Sequence, residues 1–209
     1  DIDTVGNIQL NDIDTGGVAA GGEVDLESTS GEITADAIRT NAAQRGGQLM
    51  LSAAGDVSIT NVDTQGTNIS GGQVSVSSMN SVAIDSLQTG SSQVGGAVDI
   101  VGANAVELID VNTQGGSVSG RIGVASSSDR ITIGDIQSAS NQTGGTVDIS
   151  SPTSVQVGNI DVQGTTVSGG TVQLNAVTEG VTVGNIQAAS NNQGGTVGIN
   201  SPLAIQAGD

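Results

Sequence analysis

The chain repeats itself about every 25 residues along its whole length. If the second residue of the Gly-Gly or Ser-Gly pair that precedes each apolar-x-apolar segment is taken as a mark, successive marks are 25, 25, 24, 24, 25, 25 and 25 residues apart. The marks are Gly22, Gly47, Gly72, Gly96, Gly120, Gly145, Gly170 and Gly195. A period this regular is typical of a solenoid, in which each repeat buries its apolar face only against its neighbours.

Every repeat carries three apolar segments in the same order. An apolar-x-apolar pair follows each mark, as in Val74/Val76, and a second pair follows a short polar turn, as in Val82/Ile84. Such alternation indicates strands with one buried face. The third segment is a single apolar anchor, found at Ile13, Ile38, Val62, Leu87, Val111, Ile136, Ile160 and Ile186.

These segments predict an all-β fold, a right-handed parallel β-helix of about eight coils with about 25 residues and three strands per coil. Residues 1–209 form a single solenoid array, and stacking at about 4.8 Å per coil gives a rod on the order of 40 Å long. The apolar pairs should point inward, while Ser75 and Ala83 point outward. We expect the marked glycines at a corner that requires either positive φ or close backbone approach.

The composition restricts the partners of such a rod. The formal net charge is −17, with four arginines as its cations. Nucleic acid and anionic membrane surfaces would be repelled. We also expect no membrane insertion, since no apolar run has the length of a membrane span.

A polar ladder follows the third anchor, one residue per coil. It consists of Asp14, Arg39, Asp63, Gln88, Asn112, Gln137, Asp161 and Gln187. No acid follows an acid in this order, and stacked amides can form hydrogen-bonded ladders, so we interpret the ladder as structural. A threonine row comes next, from Thr15 to Thr113, and strand propensity explains it better than ice binding does.

A second period of about 50 residues overlies the first. Residues 134–158 recur as residues 184–208, and alternate coils share a turn of the type Thr64-Gln65-Gly66. The sequence unit is therefore a pair of coils.

Catalysis and metal binding find little support in the residue types. The chain has no histidine, cysteine or aromatic residue, so neither a histidine base nor a sugar-stacking ring is present. Arg121 and Arg130 fall at unrelated points of the coil, and Asp25, Asp99 and Asp148 share a position without forming a dense oxygen cage. We therefore predict no enzyme activity, no cofactor and no specific metal site, with weak non-specific binding of divalent cations to the acidic surface.

The repeat style, GGxVxIxSxxxVxIGxIxT/SxSxxxGG, resembles the β-helical exoproteins of the filamentous haemagglutinin class. These are exported by two-partner secretion, and the acidic repeats common in cyanobacteria are the most similar. The resemblance implies an extracellular or cell-surface protein used in adhesion, matrix formation or filament building. Its partners would be further solenoid coils, together with cell-surface glycans or other fibres.

Two other interpretations stay open at this point. One is a carbohydrate-binding or carbohydrate-active β-helix whose active region lies outside this segment, and the other is a phage-type fibre. Both ends of the sequence are in repeat register, so we expect further coils, from continuation of one chain or from copies stacked end to end.

Overall fold

The computed structural model describes residues 1–208, which form two long parallel β-sheets on different sides of one rod. The first sheet contains β1 (Ile2–Thr4), β3 (Glu23–Ser28), β5 (Gln48–Ala53), β7 (Gln73–Ser78), β9 (Val98–Gly102), β11 (Arg121–Ser126), β13 (Thr146–Ser151), β16 (Thr171–Ala176) and β19 (Thr196–Asn200). The second sheet contains β2 (Ile8–Asp14), β4 (Ile33–Arg39), β6 (Val57–Asp63), β8 (Val82–Gln88), β10 (Val106–Asn112), β12 (Ile131–Gln137), β14 (Val155–Val157), β15 (Ile160–Asp161), β17 (Val181–Val183), β18 (Ile186–Gln187) and β20 (Ile205–Ala207). Because the chain alternates between the sheets, it winds as a β-solenoid of about eight turns.

The register of the sheets confirms the coil assignment. Val74 pairs with Leu49 on one side and Val98 on the other, so each residue stacks on its equivalent one coil away. Val74 and Val82 are buried, whereas Ser75 is exposed and Ala83 is half-buried. The predicted inward and outward faces are therefore correct, and the core is a set of continuous aliphatic rows.

The second and third apolar segments are joined in most of the rod. In β6 both Ile59 and Val62 are buried although they are three residues apart, so the strand changes direction between them. Near the C-terminal end the same region divides into β14 and β15, with Gly158 and Asn159 between them.

The third side of the rod is held by short contacts instead of a long sheet. Isolated parallel bridges connect Gly17, Ala42, Gly66, Ser91, Gly115, Ser140 and Gly164 in succession, and a second series of bridges runs from Ala20 to Gln193. Each coil thus keeps its register on all three sides.

The marked glycines from Gly47 to Gly195 are required by close backbone approach. No residue from 1 to 208 has positive φ, so the alternative explanation does not apply. A Cβ atom on Gly47 would lie 1.9 Å from the carbonyl oxygen of Gly22, well inside van der Waals contact. Six of the preceding glycines are equally confined; a Cβ atom on Gly46, for example, would lie 1.7 Å from the carbonyl oxygen of Thr64.

The threonine row lies inside the rod. Thr40, Thr64, Thr89 and Thr113 are completely buried, so no threonine surface is available there for ice. Thr113 Oγ1 donates to Ser138 Oγ at 2.8 Å, and Thr89 Oγ1 donates to the carbonyl of Gly96 at 3.2 Å. Val162 takes the same position two coils after Thr113 and is also fully buried. A hydroxyl is thus optional in this row.

Candidate functional site

The predicted polar ladder forms one straight row along the rod. Strand register pairs Asp14 with Arg39, Arg39 with Asp63 and Asp63 with Gln88, and it continues in the same way to Gln187. The ladder stands beside the buried threonine row, where the chain leaves the second sheet. We call the ladder and the turn residues that follow it the polar edge.

The short ladder residues hold the turns of alternate coils. Asp14 Oδ1 accepts a hydrogen bond from the amide of Gly16 at 2.8 Å, and Asp63 Oδ1 accepts one from the amide of Gln65 at 3.0 Å. Asn112 and Asp161 make the same contact with the amide two residues later, both at 3.0 Å. An acceptor two residues before an amide is the Asx turn, in which the side chain replaces a backbone partner.

In the coils of Gln88 and Gln137 a serine three residues beyond the ladder position holds the next part of the turn. Ser91 Oγ accepts from the amide of Gln93 at 3.1 Å, and Ser140 Oγ accepts from the amide of Gln142 at 3.2 Å. The ladder position in these coils is then released from the turn and is occupied by Gln88 and Gln137. Neighbouring coils therefore place their side-chain acceptor at different points of the turn region, which agrees with a pair of coils as the sequence unit.

Arg39 is held by a neighbour of the ladder. Its guanidinium Nη1 lies 3.7 Å from Asp12 Oδ1, and both side chains are well exposed. Asp63 instead accepts a hydrogen bond from Asn41 Nδ2 at 3.0 Å. Exposed ion pairs contribute little to stability, so the ladder depends mainly on hydrogen bonds.

The row before the third anchor contains a second set of coil-to-coil contacts. Asn159 donates to Asp135 Oδ1 from its backbone nitrogen at 2.8 Å and from Nδ2 at 3.1 Å. The amide of Asn185 donates to Asn159 Oδ1 at 3.1 Å. Here Asp110 does stack on Asp135, so acids are adjacent in this row although they are separated in the ladder.

The polar edge also carries an alternation of large and small residues. The position after the threonine row is Gly16, Asn41, Gln65, Gly90, Gln114, Ala139, Gln163 and Ala189. Shallow depressions lie between the glutamines, and Gln65 and Gln114 each line two of them. The sequence signal for this feature was the Thr-Gln-Gly turn of alternate coils, but its outward direction becomes evident only in the structure.

The carboxylates of the first sheet remain apart. Asp25 and Asp99 are separated in their row by Met50 and Ser75, and Gly123 lies between Asp99 and Asp148. Residues 1–208 contain no group of three or more acidic, histidine or cysteine side chains placed to hold a metal ion.

The two arginines considered for catalysis are in different surroundings. Arg121 Nη1 donates to Asp99 Oδ1 at 2.6 Å on the outer face of the first sheet. Arg130 lies in the turn that leads into β12, and its backbone amide donates to Asp129 Oδ1 at 2.7 Å. The structure therefore does not bring these arginines into one site.

Comparison with known proteins gives no match, so the function proposed below is argued from the fold and from the polar edge. No family model, no curated protein and no solved structure matches the chain. Within residues 1–208 there is no helix of the length and apolar character needed to cross a membrane.

Proposed function

We propose that this chain is a segment of an extracellular structural or adhesive fibre of the filamentous haemagglutinin type, without a catalytic role. The observation that carries the proposal is the uninterrupted register of the two sheets, from β1 to β19 and from β2 to β20. A rod with short turns separates its two ends by a fixed length and repeats its lateral surface along that length.

The surface chemistry supports a role outside the cell. Short hydroxyl and amide side chains cover the rod, and its net charge of −17 opposes lateral aggregation of its strand edges. The absence of cysteine agrees with export as an unfolded chain. The acidic surface would attract divalent cations weakly and without a defined site.

The partners that we propose first are further solenoid coils. Each coil pairs its strands with the coils on either side, as Val172 in β16 does with Val147 and Val197. Coils of the same chain or of a second copy therefore have the edge chemistry that is complementary to this rod.

Localisation in the source cells provides the test. Intact cells would be treated with a protease that cannot enter them, and the chain would be detected with an antibody before and after treatment. Loss of the signal, with a cytoplasmic marker preserved, is the expected result. A signal that disappears only after the cells are lysed would overturn the proposal.

A further inference from the structure

Three depressions follow one another along the polar edge. The first is lined by Asn41 and Gln65, the second by Gln65 and Gln114, and the third by Gln114 and Gln163. We call them bays and the glutamines Gln65, Gln114 and Gln163 knobs; the second and third bays lie between two knobs, whereas Asn41 and Gln65 belong to adjacent coils. Because the knobs occur in every second coil, adjacent knobs are about 10 Å apart, which is twice the strand spacing.

The floors of the bays are made of small residues. Ala42 contributes to the first bay, Gly66 and Gly90 to the second, and Gly115 and Ala139 to the third. A ligand can therefore approach the backbone closely between two knobs. The turn amides next to Asp63 and Asn112 already hold those two side chains, and Gln163 Nε2 donates to Gln187 Oε1 at 2.7 Å. The half-buried knobs Gln65 and Gln114 are therefore the ones whose side-chain amides have no hydrogen-bond partner within residues 1–208.

The chemistry of the bays favours an uncharged ligand with many hydroxyl groups. Each glutamine amide offers a donor and an acceptor. The chain carries a net charge of −17, which repels polyanions, and none of its four arginines lines the three bays.

We infer that the bays bind an extended, uncharged polysaccharide of the β-1,4-linked kind, laid parallel to the rod axis. In such a chain each sugar extends slightly more than one strand spacing, and every second sugar has the same orientation. Alternate sugars therefore meet alternate coils, one group with the knobs and the next with a bay floor. Because one sugar is slightly longer than the spacing between two strands, sugars and coils stay aligned over only a short run of sugars.

This inference rests on the proposed fibre function and specifies what the fibre adheres to. Without aromatic rings the affinity of one run is low, so useful adhesion requires many runs along a long rod and a long glycan. The rod provides such runs where the knob and bay pattern repeats every second coil, as it does from Gln65 to Gln163.

The test titrates the purified chain with cellohexaose and, as a control of geometry, with maltohexaose, whose α-linked sugars curve. Amide chemical shifts report binding and locate it. We expect cellohexaose to shift the resonances of residues 65–67, 90–92 and 114–116, while maltohexaose produces little change.

Two pairs of variants assign the site. Ala139→Gln fills the third bay and should weaken cellohexaose binding there about fivefold to tenfold, the value of one or two lost hydrogen bonds, whereas Ala139→Ser leaves the bay open. Gln114→Ala removes a knob and should weaken binding similarly. Gln73→Ala, on the exposed face of the first sheet, should have no effect.

The inference would be overturned by equal chemical-shift changes with both oligosaccharides, by the absence of binding to cellohexaose, or by unchanged cellohexaose affinity in Ala139→Gln. A concentration-dependent dimer that Ala139→Gln abolishes would also overturn it, because the bays would then hold the knobs of a second copy. In each case the localisation of the fibre is decided by its own experiment and is unaffected.

Discussion

Replacement of Thr64 by valine tests whether an unsatisfied hydroxyl in the buried threonine row lowers the free energy of unfolding. Thr64 is fully buried, and its Oγ1 has no hydrogen-bond partner within residues 1–208. Thr113, in the same row two coils away, donates from Oγ1 to Ser138 Oγ at 2.8 Å. The two threonines thus have the same position in the coil and the same burial, and they differ in whether the hydroxyl is satisfied.

The expected magnitudes follow from this difference. An unsatisfied buried hydroxyl costs about 1–3 kcal/mol, and valine keeps the shape of threonine, so Thr64→Val should raise the free energy of unfolding by about 1 kcal/mol. Thr113→Val removes a made hydrogen bond and should lower it by about 1 kcal/mol. Val162 shows that the row accepts valine at full burial.

Urea unfolding followed by far-ultraviolet circular dichroism measures the global change, since the chain has no tryptophan. Arrays of coils can unfold in parts, so hydrogen exchange should also be followed locally. The amide of Thr64 donates to the carbonyl of Gln88, and the amide of Gly72 donates to the carbonyl of Thr64. Slower exchange at these amides is expected for Thr64→Val. Equal destabilisation by both valine variants would refute the argument from the unpaired hydroxyl.

Three further substitutions test the core, the glycines and the turns. Val98→Asp places an unpaired charge in a dry aliphatic row and should abolish cooperative folding, which dichroism would detect as loss of the β signal; a native spectrum would contradict the core assignment. In Gly46→Ala the added methyl group meets a carbonyl oxygen of the next coil, so urea unfolding should show a loss of about 1–3 kcal/mol in the free energy of unfolding. Gly6→Ala is the control, because nothing lies near the added carbon and little change is expected. Equal effects of the two substitutions would refute the close-approach argument. Asp161→Ala opens an Asx turn and should cost about 1 kcal/mol, while Asp148→Ala on the exposed face is the control, and a larger effect at Asp148 would argue against the turn.

The core and the register could be predicted because the repeat itself contains them. Equivalent residues must stack, so the spacing of the marked glycines fixes which residue pairs with which, as with Val74 and Val98. Alternation then separates inside from outside along a straight strand. This reasoning needs no information about side-chain contacts.

The arrangement of the polar edge was harder to predict from sequence, because alternation does not extend past a bend in the strand. Alternation fails where the strand bends between Ile59 and Val62, so the direction of Thr64 beyond the bend could not be obtained by counting. The ladder was predicted as one structural row, but its short members serve their own turns. The choice between Asp63 and Ser91 as turn acceptors depends on local hydrogen bonds that a single pattern does not reveal.

The stacked register gives the rod a particular response to pulling force. If tension is applied at one end, the outermost coil can detach by breaking only its own contacts with the coil beneath it, and the remaining coils stay folded. Val172 and Val197 are 25 residues apart, so each detached coil would release about 80 Å of extended chain. A tether of this kind would lengthen in repeated steps and dissipate mechanical work at each one, which would protect an attachment against sudden load.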